Sequence, residues 1–452
     1  MQGVVGVYSG SNATLKTYYN LFSVQHRGQE SAGISAAGDH SIRTYTDEGM
    51  VMDVLGRKFV RSFIHPSDYA AIGCVSNIIR KERYTTPFEL ESKNYKISLA
   101  MDGLILGHKE HMNETIFGRK FLKKLEKTKD ADIAAAELMK ELDKAYYSLV
   151  MLINDKNERK SELIAARDSR GVRPLYMGRN TQDLYVASES PAIDILESMG
   201  EHIAERRDVR PGEMLRQYGD GLYTRQVLEP RPAHCAFEWV YFGRMDSVVD
   251  GRWTHEARKE LGHLLVKTHR LKKMSNAITI PIPDSGRSMC TGVAKVLGLT
   301  ADEGVYKNPY MGRTYMRADP KFRKISSDIK HNPIRTVIRG KTVFIYDDSI
   351  VRGTVSESTA KALRHAGAKK VIFSASYAPI LYPCFSDPKN KPLAAAPYAG
   401  MSIYEIGRQV AKKLPSIDQV KYNSRENVIK AIGLPDNCVC TMCAGGKNPF
   451  ED

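Results

Sequence analysis

No stretch of this 452-residue chain approaches the ~18 consecutive apolar residues needed to cross a bilayer. The opening MQGVVGVYSG lacks both the basic and the apolar region of a secretory leader, so a cytoplasmic location is expected and a membrane partner is not. Cysteine is sparse and odd in number, with residues at 74, 235, 290, 384, 438, 440 and 443, which argues against a disulfide framework. The cluster near the C-terminus points instead to a metal centre. Concentrated charge is missing too. The net charge is +15, yet Lys and Arg are scattered and no aromatic-rich RNA-binding signature accompanies them, so nucleic acid is not an expected partner. With 42% hydrophobic and 26% charged residues, the composition is that of a globular protein long enough for two or three cores.

What is present is organised around Lys341 to Arg364. The run Thr342-Val343-Phe344-Ile345-Tyr346 predicts a buried strand. Asp347 and Asp348 follow at its carboxyl end. A loop from Ser349 to Ser356 carries Gly353, Thr354 and Ser356, and a helix is expected from Ser356 to Arg364, stopped at Gly367. In an open parallel sheet, ligands bind at the carboxyl ends of strands, and a helix amino terminus offers free N–H groups to a phosphate. An acid pair for hydroxyls followed by a phosphate cradle suits a phosphorylated sugar. The bland alternative is a hydrophilic turn between an ordinary strand and helix.

Asp347-Asp348-Ser349-Ile350-Val351-Arg352-Gly353-Thr354 resembles the phosphoribosyl-pyrophosphate (PRPP) motif of type I phosphoribosyltransferases. In detail the chain resembles the amidophosphoribosyltransferase family, the glutamine-dependent first enzymes of purine biosynthesis, over nearly its whole length. The resemblance implies that Asp347 and Asp348 hold the ribose 2′- and 3′-hydroxyls, with Mg2+ bound there through the substrate. Ser349 and Arg352, Gly353, Thr354, Val355 and Ser356 would wrap the 5′-phosphate, and Lys307 would join the acid pair in catalysis. Three domains are implied: an αββα glutamine amidotransferase-like domain of the N-terminal-nucleophile (Ntn) class over 1–230, a parallel-sheet phosphoribosyltransferase domain over 231–400, and a helical, cysteine-bearing tail over 401–452. A homo-oligomer, dimer or tetramer, is expected.

In the amino-terminal half, short β-like runs (Val4–Tyr8, Ile97–Ala100, Leu149–Ile153) alternate with helical stretches such as Ala131–Leu142. The segments Gln25 to Gly33, Arg167 to Leu175, Val186 to Ser190 and Arg210 to Glu213 match the family; their Gly and Pro residues punctuate turns, so they testify to fold more than to chemistry. The family's chemistry begins at a terminal cysteine, whose thiol attacks the glutamine amide with help from its own α-amine. Here Gln2 stands at that place. A carboxamide is no nucleophile, nor does Gln2 favour removal of Met1. The family's arginine for the glutamine carboxylate is replaced by Ser76, which removes a bidentate clamp. Its oxyanion-hole Asn is Asp102, an anion where negative charge must develop. Its acidic residue for the substrate amine falls at Phe117-Gly118-Arg119-Lys120, so the charge is reversed at Arg119. Cys74 is a displaced thiol without an evident base. The glutaminase is expected to be inactive.

From about Pro232 strand–loop–helix units repeat, as in doubly wound folds. The run Ala277–Ile282 leads into Asp284, Ser285 and Gly286, where the resemblance implies a backbone site for pyrophosphate. Lys307 to Tyr315 resembles the family's cationic lid, with Lys307 and Arg313 keeping their types while Pro309 replaces an arginine; closure would exclude water from the reacting centre. Cys235, Cys384, Cys440 and Cys443 match, one for one, the ligands of the [4Fe–4S] cluster found in a subset of the family. Spacing alone suits iron–sulfur or tetrahedral zinc equally; the resemblance favours the cluster. Cys290 and Cys438 are expected bystanders.

Three functions compete. One is a PRPP-dependent transferase that passes the phosphoribosyl group to ammonia or another nucleophile. The second is a sensor that binds PRPP or a nucleotide without turnover. The third is a pseudoenzyme partner of an active relative. The retained acid pair, phosphate loop and Lys307 favour the transferase.

Overall fold

The computed structural model describes residues 1–38, 41–77, 86–108, 112–308, 331–386 and 392–451. Two compact units emerge: Met1–His234 with Val248–Gly251, and Cys235–Ser247 with Arg252–Asp452. No helix among the described residues is long and apolar enough to cross a membrane.

The first unit holds a seven-stranded and a six-stranded antiparallel sheet. Alternation along the strand Gln2–Tyr8 explains how they stack. Val4 and Tyr8 join Ala100, Val150 and Leu152 in the layer between the sheets, while Val5 and Val7 face the helix Ala13–Val24. Gly6 is small for a reason: a Cβ there would come within 3.2 Å of Val150 Cγ1. In the second sheet, Leu99 and Met101 turn the other way, onto Phe117, Phe121 and Leu138 of the helices Asn113–Thr128 and Ala131–Glu141. Helix, sheet, sheet, helix is the result. The same period places Gln2 and Asp102 on the faces that look at each other. Expected strands are present but longer, as Tyr95–Ile105 and Ala145–Asp155, because long cross-strand ladders extend well past their most apolar cores.

The second unit is built on a parallel sheet ordered Ala277–Pro281, Thr342–Asp347, Lys370–Ala375, Gln419–Tyr422. Both faces are covered, which is why these strands read as continuous apolar runs. Val343, Ile345 and Phe373 pack with Leu363 and Val410 on one side; Phe344 and Ile372 pack with Leu265 and Val293 on the other. Residues 401–452, expected as a helical tail, lie within this unit and supply the sheet's strand Gln419–Tyr422. Thr279 pairs with Phe344 on one side and bridges to Ala301 on the other. The chain thus leaves the strand Ala277–Pro281 towards one edge and returns on the opposite side of it. That reversal opens a crevice at the carboxyl ends of two neighbouring strands, where ligands of such sheets bind.

Candidate active site

Two loops meet at this crevice. Asp347 closes its strand rather than following it, and is buried; Asp348 is half-buried. The Ser285 hydroxyl lies 2.8 Å from Asp348 Oδ1 and 3.3 Å from Asp347 Oδ1, so its single proton goes to Asp348 by the shorter contact. The Asp348 N–H donates to Asp347 Oδ1 at 2.9 Å, and the Ser349 hydroxyl to Asp348 Oδ2 at 2.6 Å. Burial, and then the charge of Asp348, push the Asp347 carboxyl well above its usual range. The pair is therefore short of donors or cations, which a sugar's hydroxyls or a cation would supply.

Gly286 makes the close approach possible. A Cβ there would sit 2.0 Å from the Tyr346 carbonyl oxygen, so no other residue fits without moving backbone. On the other loop the helix starts at Thr354, not at Ser356 as expected, because Gly353 adopts φ 83 and turns the chain early. Thr354, Val355 and Ser356 consequently form the first helical turn, with Thr354 and Val355 exposed and Ser356 buried. No side-chain cap hydrogen bond is made at Gly353, and the first-turn N–H groups of such a helix start are of the kind that can receive an anion. Arg352 is exposed beside it.

Asp284 is exposed and held by two cations, an ion pair with Lys307 and a 3.1 Å bond from Arg287. Arg287 follows the Asp284–Gly286 loop directly and carries no local sequence signal of a role. The remainder of the lid, Pro309 to Tyr315 with Arg313, lies outside the described residues.

In the first unit, Gln2 is buried in a closed polar network. Its side-chain N–H donates to Glu114 Oε1 at 2.8 Å, its side-chain oxygen accepts from the Cys74 thiol at 3.0 Å, and its backbone N–H donates to Asp102 Oδ1 at 2.9 Å. Arg27 reaches Asp102 Oδ2 at 3.3 Å and Glu189 Oε1 at 2.8 Å; Arg173 lies 3.9 Å from Asp102, and His26 2.6 Å from Glu189. Burial raises the Asp102 pKa, but Arg173 and Arg27 outweigh it and hold the carboxyl below its usual range. Burial drives the Cys74 thiol far above its usual range, although the Thr86 hydroxyl donates to it at 3.2 Å. This is a neutral thiol, not a nucleophile. Ser76 sits directly across from Gln2 in the neighbouring strand.

Arg119 does not belong to this constellation. It is exposed on the helix Asn113–Thr128, and the buried acid of the site is Glu114, five positions earlier and on the inward face. Glu114, Arg27, Arg173 and Glu189 carry no local sequence signal of their role; they lie on separate helices, turns and loops that only tertiary packing brings together.

The four matched cysteines also gather in one place. The thiols of Cys440 and Cys443 are each pushed up to about 12, first by burial, and then by nearby cysteines: Cys384 and Cys443 act on Cys440, and Cys235 and Cys384 on Cys443. The Tyr377 hydroxyl lies 3.3 Å from Cys443 Sγ, and the Ser386 N–H donates to Cys384 Sγ at 3.4 Å. Among the described residues, no three His, Cys, Asp or Glu side chains are drawn close enough to hold a single metal ion. Cys290 is buried in the sheet's core, with its thiol raised to about 12 by that burial.

An αββα unit of the glutamine amidotransferase fold and a parallel-sheet unit of the type I phosphoribosyltransferase fold stand on one chain. The comparisons agree. A family model described as a glutamine amidotransferase domain matches residues 76–194. The amidophosphoribosyltransferase of Methanothermobacter thermautotrophicus is 32% identical over 99% of this chain and 94% of its own, and that of Methanocaldococcus jannaschii is 32% identical over 100% and 98%. Among solved structures, a glutamine PRPP amidotransferase from B. subtilis in complex with ADP and GMP superimposes with a TM-score of 0.80, at 29% identity over 99% of this chain and 97% of its own. The chain belongs to the amidophosphoribosyltransferase family.

Proposed function

We propose that this protein transfers the 5-phosphoribosyl group of PRPP to ammonia or another small nucleophile, releasing pyrophosphate, and that it does not hydrolyse glutamine. The observation that carries the transferase reading is the Ser285 hydroxyl joining the acid pair across the ends of two adjacent strands. It ties the pyrophosphate loop to the ribose-binding carboxylates in one crevice.

Asp347 and Asp348 accept from the ribose 2′- and 3′-hydroxyls and fix the ring. The N–H groups of the turn Thr354–Ser356, with the Thr354 and Ser356 hydroxyls, hold the 5′-phosphate. Lys307 and Arg287, now on Asp284, are placed to exchange that carboxylate for the pyrophosphate oxygens. The nucleophile's lone pair forms the bond to C1 as the C1–oxygen bond breaks; pyrophosphate leaves with that electron pair, and an ammonia nucleophile then sheds one proton. Mg2+, held by substrate oxygens and one or two carboxylates, would neutralise the departing charge. The raised Asp347 pKa fits this, since the pair gains from a cation.

Gln2 in a saturated network, Asp102 held ionised and Ser76 in place of a clamp all support the absence of glutaminase activity. Cys235, Cys384, Cys440 and Cys443 would hold a structural [4Fe–4S] cluster. What supports this is that the thiols of Cys440 and Cys443 lie near one another and near those of Cys384 and Cys235. A homo-oligomer is the expected assembly. Incubation with PRPP, Mg2+ and ammonium, read by mass spectrometry, should give phosphoribosylamine and pyrophosphate, whereas glutamine in place of ammonium should give neither product nor glutamate. No pyrophosphate with any amine would overturn the transferase reading.

A further inference from the structure

The parallel sheet carries a second concavity, at the amino ends of its strands. Register and alternation place Phe344, Lys370, Ile372, Gln419 and Lys421 on one face. The helix Thr254–His269 covers that face through Leu265 and Val266, then stops; Arg270 turns left-handed at φ 47, and the following residues arch over the uncovered end of the sheet. An open groove of about 200 Å3 lies there, with Arg270, Lys272 and Gln419 at its exposed rim. Phe344 and Ile372 form an apolar wall, and Arg270, Lys272, Lys370 and Lys421 bring four cations to the same space without a carboxylate among the lining residues. Among the described residues, none of the four makes an ion pair or side-chain hydrogen bond.

Solvated surface lysines do not account for this. Lys370 and Lys421 stand half-buried on the face of the sheet that also carries Phe344 and Ile372. Burial, and then the charge of Lys370, lower the pKa of Lys421. Two like charges at such positions are stabilised by an anion between them, and the groove suits a phosphate and a compact apolar part.

We propose that this groove binds a small phosphate-bearing anion, with its phosphate held by Lys370, Lys421, Arg270 and Lys272 and its apolar part against Phe344 and Ile372. It is separate from the crevice at the carboxyl ends and does not depend on the transferase reading. The test is calorimetric titration of the full chain, without Mg2+, by inorganic phosphate, pyrophosphate and AMP in parallel. Loss of each charged contact should weaken binding roughly tenfold, so Lys370→Gln with Lys421→Gln should lose roughly a hundredfold. Arg270→Gln, at an exposed position, should lose roughly tenfold and covers the case in which the double variant does not fold. Asp347→Asn with Asp348→Asn should leave binding at this groove unchanged. AMP binding more tightly than phosphate supports an organic phosphate using the apolar wall; equal affinity supports free phosphate. In anion-free buffer the folded double-lysine variant should melt above the wild type, because repulsion is relieved; a purely structural role for the lysines would lower it. No binding by the wild type, or binding abolished by the Asp variants and untouched by the Lys and Arg variants, overturns the proposal.

Discussion

The Gln2 side chain donates to Glu114 at 2.8 Å and accepts from the Cys74 thiol at 3.0 Å, so both ends of its amide are satisfied inside the protein. A catalytic nucleophile needs an unshared electron pair aimed at the substrate, and none is offered here. Glutamine should therefore yield no glutamate above buffer, and a glutamine-analogue electrophile should leave the protein unlabelled. Gln2→Cys alone should not restore turnover. Ser76 still lacks the carboxylate clamp, and Asp102, held ionised by Arg173 and Arg27, still opposes an oxyanion. Glutamate release by the single variant would show that one substitution silenced the site.

Different parts of the chain were legible to different degrees. The strand Thr342–Asp347 and its acid pair were plain, because a buried parallel strand is written in consecutive residues. The helix start was misplaced by two residues, since the loop gives no sign that Gly353, rather than a later position, turns left-handed. Glu114 was invisible for a different reason. It meets Gln2 across 112 residues through packing of two elements, and five positions along a helix separate it from the exposed Arg119. The basic groove left no trace at all: Lys370 and Lys421 are far apart in sequence and meet through the sheet register, while Arg270 and Lys272 come from the segment after a helix.

Asp168 gives the first unit a measurable pH dependence. Burial, opposed by the N–H groups of Tyr147 and Arg170, raises its carboxyl from 3.8 to about 6. As pH rises through that window the unfolded chain ionises first, so the folded state loses stability, by about 2–3 kcal/mol if the whole shift is expressed. Asp102 works in the opposite sense, its contribution being present above 3.8 and lost as pH falls below it. Urea midpoints between about pH 4 and 7 should show the wild type losing ground to Asp168→Asn as pH rises, with the difference levelling off above the folded value. Parallel curves would mean that the carboxyl titrates alike in both states.

The cysteine group predicts a brown protein. Purified without oxygen, it should hold about four irons per chain. Cys→Ser at 235, 384, 440 or 443 should bleach it and loosen the segment around Tyr377, whose hydroxyl meets Cys443. Cys290→Ser should keep the colour. Zinc in place of iron in anaerobic material decides against the cluster.

The transferase crevice yields the most discriminating substitutions. Asp347 is buried beside Asp348 with its carboxyl raised, so their mutual repulsion is a cost that the apo protein carries. Neutralising the pair, Asp347→Asn with Asp348→Asn, should leave the fold intact and keep or raise the melting temperature. It should weaken PRPP binding by roughly 1.5–3 kcal/mol for each charged hydrogen bond lost. An ordinary hydrophilic turn would instead tolerate the change within about 0.5 kcal/mol of stability and alter no binding. Gly286→Ala separates geometry from charge, because its Cβ would meet the Tyr346 carbonyl at 2.0 Å and force the two loops apart. That variant should lose PRPP binding while all the carboxylates remain. In the wild type, PRPP should raise the melting temperature only when Mg2+ is present. Calorimetry that finds no PRPP binding by folded, Mg2+-supplied wild type would end both the transferase and the sensor readings, leaving only a scaffold built on the same sheet.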